Sequence, residues 1–216
     1  MNTAADILKR PLAMDDLQQV AVLSAVSISA DGRYLAYVTT KVVWKENTHR
    51  DLITVIELST GKEISAWEGT APKWAPVLNE VAFLASYADE NYIWLYSLEN
   101  NIKKPLAPIY ESHYFMGHLV EKNFAWSPNG LQIAYVSTQA INATETIPGD
   151  IKVIERLLYK TKGGRGRPLI ADDQLSHIWV VPVQGGVSQL VTDSEFNEHS
   201  ICWSPDSTRI AFVSNR

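Results

Sequence analysis

The sequence predicts an all-β protein, an incomplete β-propeller of about three and a half four-stranded blades. Three observations carry that prediction. One ten-residue segment recurs four times without gaps. Each copy places turn residues between two apolar runs. The first two repeat intervals, 46 and 52 residues, suit one four-stranded blade of about 40–50 residues.

The copies are Ile28–Tyr37, Trp74–Phe83, Trp126–Tyr135 and Trp203–Phe212. Each opens on a large apolar residue. Each closes on an aliphatic residue, an alanine and an aromatic: Leu35-Ala36-Tyr37, Val81-Ala82-Phe83, Ile133-Ala134-Tyr135 and Ile210-Ala211-Phe212. Between them stand Asp31-Gly32, Asn129-Gly130 and Asp206-Ser207, with Pro76, Pro128 and Pro205 early in three of the turns. Proline presets φ at an early turn position, and Asn-Gly or Asp-Gly tolerates positive φ. The unit therefore reads as a β-hairpin. Its alanine is small enough for a neighbouring sheet to approach, and its flanking residues point to the other face.

A second strand pair follows each hairpin. In the first copy it is Asp51–Leu58 and Glu63–Trp67, joined through Gly61. In the second, Asn91–Leu98 supplies a third strand. In the third, His177–Val183 and Val187–Thr192 flank Gly185-Gly186. The third interval is 77 residues, and its excess reads as an insertion over 140–176, where the alternation stops. The organisation expected is an N-terminal segment 1–24 and a propeller over 25–216. Its blades span about 25–69, 70–113 and 121–193, with a half blade at 199–216. A β-sandwich also uses many short strands, but four in-register copies of one hairpin favour the propeller. A closed ring needs at least four blades. The sequence is therefore expected to be a fragment of a longer protein, with open strand edges that favour self-association.

Composition narrows the function classes. Hydrophobic residues make up 46% and charged residues 20% of 216, enough for a sizeable core. Seven Trp and nine Tyr favour strands. The net charge of −5 gives no support to a nucleic-acid or anionic-membrane partner. Cys202 is the single cysteine, so no intrachain disulfide forms and a reducing compartment fits. No run approaches the roughly 20 apolar residues of a membrane helix, and the first residues lack the apolar core of a secretory signal. A cytoplasmic location is the expectation.

Trp126-Ser-Pro-Asn-Gly and Trp203-Ser-Pro-Asp-Ser, with His177-Ile-Trp-Val-Val-Pro-Val-Gln-Gly-Gly, resemble the TolB-like, WD-like propeller repeat. The order of features from Asp15 onward resembles the N-terminal propeller of the prolyl oligopeptidase family of serine peptidases. Within it, the acylaminoacyl-peptidase and dipeptidyl-peptidase branch is the nearest likeness. The resemblance implies a propeller that gates and orients peptides for an α/β-hydrolase domain carrying a Ser-Asp-His triad. The alternative it leaves open is a TolB-like scaffold that docks protein partners. No Gly-x-Ser-x-Gly nucleophile turn occurs here; Ser188 follows Gly185-Gly186-Val187 but precedes Gln189-Leu190. No catalytic residue is assigned, and no cofactor is expected. A free-standing enzyme with a channel site would need convergent carboxylates, which the repeat positions do not offer.

Candidate binding residues are few. Lys152–Pro168 is the most charged stretch, with three Lys and three Arg. Arg156, Arg165 and Arg167 could meet a peptide carboxylate or another domain, because guanidinium matches carboxylate as a fork. A solvated loop is the plainer reading, and an Arg/Gly segment for single-stranded nucleic acid is a minor one. His113 and His118 lack the further ligands a metal needs, so no metal site is expected. Glu155, Asp172 and Asp173 read as solvated or paired with the nearby arginines. Asn142-Ala143-Thr144 matches a glycosylation acceptor by coincidence. Cys202, beside Trp203 in an apolar run, reads as a small buried hydrophobe.

Overall fold

The computed structural model describes residues 13, 16, 19–88, 90–110, 124–138 and 175–214. Its strands form three four-stranded antiparallel meanders and one two-stranded hairpin. Blade 1 contains β1 (Ala21–Ile28), β2 (Tyr34–Val43), β3 (Thr48–Glu57) and β4 (Glu63–Glu68). Blade 2 contains β5 (Thr70–Trp74), β6 (Glu80–Tyr87), β7 (Glu90–Ser97) and β8 (Ile102–Ile109). Blade 3 contains β9 (Phe124–Trp126), β10 (Gln132–Ser137), β11 (His177–Pro182) and β12 (Gln189–Leu190). The half blade is β13 (Glu198–Trp203) with β14 (Ile210–Ser214). This is the incomplete propeller that the repeat predicts.

The repeated unit is the first hairpin of every blade. Its turn closes identically in all four copies: the N–H of Ser29, Ala75, Ser127 and Ser204 donates to the carbonyl of Tyr34, Glu80, Gln132 and Arg209, respectively, at 2.8–2.9 Å. Three turns add the same side-chain clasp. Ser29 Oγ donates to Asp31, Ser127 Oγ to Asn129 and Ser204 Oγ to Asp206, at 2.7, 2.7 and 2.5 Å. The same hydroxyls accept the N–H of Tyr34, Gln132 and Arg209 at 2.9 Å. The residue after the acidic or amide side chain has positive φ: Gly32 at 70°, Gly130 at 72° and Ser207 at 60°. The clasp makes Asp31 unusually acidic. Hydrogen bonds from Ser29 first, and then from Arg33, lower its pKa to about 2.

Two features exceed the sequence reading. β8 forms the outer strand of blade 2 although it contains Pro105 and Pro108. Proline cannot donate to a ladder, and an edge strand tolerates that. The β2–β3 hairpin extends to Val43 and Thr48, with a 3-10 turn over Trp44–Glu46 at its tip.

The blades pack face to face through three apolar layers. Ala36, Val38, Ile53 and Val55 of blade 1 meet Trp74, Val81, Phe83 and Tyr96 of blade 2. Ala82, Ile93 and Leu95 of blade 2 meet Phe124, Ile133, Tyr135 and Val181 of blade 3. Ala134, Ile178 and Val180 of blade 3 meet Ile201 of the half blade. The motif alanines Ala36, Ala82 and Ala134 thus face the following blade, and the motif aromatics Phe83 and Tyr135 face the preceding one. Gly69 makes the link between blades 1 and 2. A Cβ there would lie 2.9 Å from both the Leu84 carbonyl oxygen and the Phe83 ring, so only glycine permits this approach.

A hydrogen bond from each motif tryptophan marks every junction. Trp74 Nε1 donates to the Ser27 carbonyl at 3.1 Å, Trp126 Nε1 to Lys73 at 3.0 Å and Trp203 Nε1 to Ala125 at 3.1 Å. The accepting residue is always the cross-strand partner of the motif alanine: Ser27 opposite Ala36, Lys73 opposite Ala82, Ala125 opposite Ala134. The small alanine leaves room for the indole, and the indole satisfies a carbonyl that the junction would otherwise strand.

Candidate functional site

The meanders give the assembly two unlike ends. One carries the turns of the four repeat hairpins. There Asn129 N–H donates to Ser207 Oγ across the third and fourth turns at 3.1 Å. The other end receives the starts of β1, β5, β9 and β13. At it the described chain stops at Tyr110 and Thr138 and resumes at Phe124 and Leu175. This second end is the candidate site, because long segments on a rigid scaffold are where binding residues concentrate.

Tyr110 and Thr138 are tied together. Tyr110 N–H donates to Ser137 Oγ at 2.9 Å, and Thr138 N–H returns to the Tyr110 carbonyl at 2.9 Å. Trp179 Nε1 caps the Ser137 carbonyl at 3.1 Å. Blades 2 and 3 are thereby joined at Tyr110, Ser137 and Thr138. Burial pushes the Tyr110 hydroxyl pKa up, and the neighbouring Glu90 adds to the effect.

The densest buried polar group lies beside them, at the junction with the half blade. His177 opens β11 and Glu198 opens β13, and both are buried. His177 Nδ1 lies 2.9 Å from Glu198 Oε2. Thr192 Oγ1 donates to the same oxygen at 2.7 Å, and Ser194 Oγ donates to Oε1 at 2.5 Å. Thr192 Oγ1 in turn accepts the Ile178 N–H at 2.9 Å. The Glu198 N–H donates to the Ser176 carbonyl at 2.8 Å. Burial pushes the Glu198 carboxyl up, but the bonds from Ser194, His177 and Thr192 outweigh it and hold the carboxyl below its ordinary value. Chemically this is a lock. The serine bonds the carboxylate and not the imidazole, so the group lacks the serine–histidine contact of an activated nucleophile.

Two surface features flank that end. Tyr87 meets Tyr92 and Trp94 edge-on, with ring centroids 5.5 and 5.7 Å apart. On blade 1, a shallow pocket of about 480 Å³ is lined by Thr39, Lys41, Val43, Trp44, Arg50 and Leu52. Arg50 is engaged by Glu68 at 3.3 Å and Glu46 at 3.9 Å.

Arg156, Arg165 and Arg167, like His113, His118, Asn142, Glu155, Asp172 and Asp173, lie outside the described residues. Among the described residues no three His, Cys, Asp or Glu side chains are gathered for a metal. Nor is any helix among them long and apolar enough to cross a membrane. Cys202 departs from the sequence reading: it is exposed. Ile201 points into the blade 3 junction, and Cys202 points to the opposite face, which no strand covers among the described residues. The His177–Glu198 lock was missed because its members are 21 residues apart in different strands. The one sequence signal was a pair of ionisable residues at strand starts.

No family model matches the chain. Along 96% of its length it is 24% identical to the uncharacterized peptidase YuxL of Bacillus subtilis (strain 168), and it spans 32% of that protein. The fold matches an acylaminoacyl peptidase of Pyrococcus horikoshii with a TM-score of 0.59 at 16% identity, covering 86% of this chain and 27% of that one. It matches TolB from Acinetobacter baumannii with a TM-score of 0.53 at 17% identity, covering 89% of this chain and 37% of that one. The chain therefore spans about a third of the proteins it matches. By fold it is an incomplete β-propeller of the type found in acylaminoacyl peptidase and TolB structures, and a protein it resembles in sequence is named an uncharacterized peptidase.

Proposed function

We propose that this chain is the propeller module of a serine peptidase of the prolyl oligopeptidase type. On this reading it gates and orients peptides for an α/β-hydrolase domain and contributes no chemistry of its own. The carrying observation is the likeness, over nearly its whole length, to a protein named as a peptidase. The propeller fold shared with acylaminoacyl peptidase supports it. Arg156, Arg165 and Arg167 are assigned to the peptide carboxylate or to the hydrolase domain, since guanidinium forks suit carboxylates. A cytoplasmic setting suits a chain with a single cysteine.

A fluorophosphonate serine probe tests this. The chain alone should remain unlabelled, and the full gene product should carry one labelled serine outside residues 1–216. Stoichiometric labelling within the chain would overturn the assignment. The match to TolB supports a second reading, a scaffold for protein partners. A full gene product without any reactive serine would favour it.

A further inference from the structure

We infer that the pocket at the tip of the β2–β3 hairpin binds a carboxylate carried on an apolar body, the chemistry of a peptide C terminus or of a free apolar acid. Trp44, Val43 and Leu52 would hold the body, and the Lys41 and Lys45 ammonium groups the carboxylate.

Local structure builds the pocket. Thr39, Lys41 and Val43 alternate with Val38, which is buried against blade 2, so they point to the opposite face of β2. The cross-strand partners of Thr39 and Lys41 are Leu52 and Arg50, and these line the pocket with them. The 3-10 turn over Trp44–Glu46 closes the hairpin. Asn47, at φ 50°, ends that turn and donates its N–H to the Trp44 carbonyl at 3.2 Å. The turn thereby holds Trp44 and Lys45 at the pocket. Trp44 is 50% exposed, a large apolar surface left to water.

The charges select the ligand. Lys41, Lys45 and Arg50 line the pocket and no acidic residue does, in a chain whose net charge is −5. Arg50 is engaged by Glu68 and Glu46. Lys41 and Lys45 form no ion pair among the described residues. Two such ammonium groups beside apolar side chains suit one anionic head on an apolar body. The volume of about 480 Å³ falls within the range of small-ligand pockets. The repeat does not dictate this chemistry. Lys41 pairs with Arg50 in blade 1, whereas the corresponding pair in blade 2 is Tyr87 with Glu90. The pocket belongs to blade 1 and stands whichever reading of the whole protein holds.

The indole N–H resonance of Trp44 in the isotope-labelled full chain, identified by its loss in Trp44→Phe, reports occupancy. Titration with N-acetyl-alanyl-phenylalanine should shift it saturably. The C-terminal amide of the same peptide should bind at least about fivefold more weakly, because it lacks the charge-assisted bonds. Lys41→Gln combined with Lys45→Gln, both on exposed positions, should weaken the acid by a similar factor and leave the other indole resonances in place. Raising the salt about tenfold should also weaken the acid, since exposed charges are screened. Phenylpropionate separates the two sources: binding much weaker than the peptide's assigns a peptide C terminus, and equal or tighter binding assigns a free acid. Equal affinity for acid and amide would overturn the inference. So would a double variant that binds like the parent, or an acid that leaves the Trp44 resonance unmoved.

Discussion

The hairpins β5–β6 and β13–β14 share one sequence pattern and one backbone closure, yet their side chains meet different surroundings. Ala82 is 0% exposed and Phe83 2%, whereas Ala211 is exposed and Phe212 is 37% exposed. The turns are not responsible, because both close with the same N–H to carbonyl bond. The difference is the company. β6 is paired on both sides, by β5 and β7, and lies between two other blades. β14 is paired by β13 alone among the described residues. Phe83 also has Trp94 stacked at 6.3 Å and Trp67 at 5.3 Å. Local sequence thus specifies the hairpin, and the neighbouring units decide how much it stabilises, as expected where each repeat contacts only its neighbours.

The largest effects should come from the aromatic position. Phe83→Ala should cost about 3–5 kcal/mol by cavity formation. Phe212→Ala should cost less than half as much, about 1–2 kcal/mol, because its ring already keeps part of its contact with water. Urea denaturation of the two variants would break the comparison if their midpoints shifted equally. The alanine position comes next. Ala82→Leu should destabilise by about 1–3 kcal/mol through overpacking, and Ala211→Leu should stay within about 0.5 kcal/mol of the parent. Trp126→Phe keeps most of the apolar surface but strands the Lys73 carbonyl, so its cost should be about 1 kcal/mol, read from the same midpoints.

The subtlest effect is on pH. The Glu198 carboxyl is more acidic folded than its ordinary value of 4.5. It therefore binds a proton more readily unfolded. Its stabilising contribution is complete above that ordinary value and is lost as the pH falls through the lower folded value. Thermal melts from pH 6 downward should show an acid-side loss of stability that Glu198→Gln reduces. An unchanged pH profile in the variant would remove the His177–Glu198 lock from the account.

The hairpins were legible because their signals are local. The Asp-Gly and Asn-Gly turns, the alternating strands and the alanine between large residues each act within ten residues. The indole bridges were not legible as bonds, although the tryptophans were evident, because their acceptors lie 47, 53 and 78 residues away. β8 escaped notice because proline argues against a strand unless its place at the edge is known. Cys202 was misread because an apolar run does not say which of its two faces will be covered. The candidate arginines fall outside the described residues, in the stretch of sequence where alternation stops and pattern offers no handle.

The central claim is that four equivalent alanines share one packing role, three filled and one open. Single cysteines placed at 36, 82, 134 and 211 in a Cys202→Ser chain test it directly. Under native conditions the thiol at 211 should label with maleimide at the rate of a free surface thiol. Those at 36, 82 and 134 should label at least about a hundredfold more slowly, through opening of the structure. Comparable rates at all four positions would contradict the account.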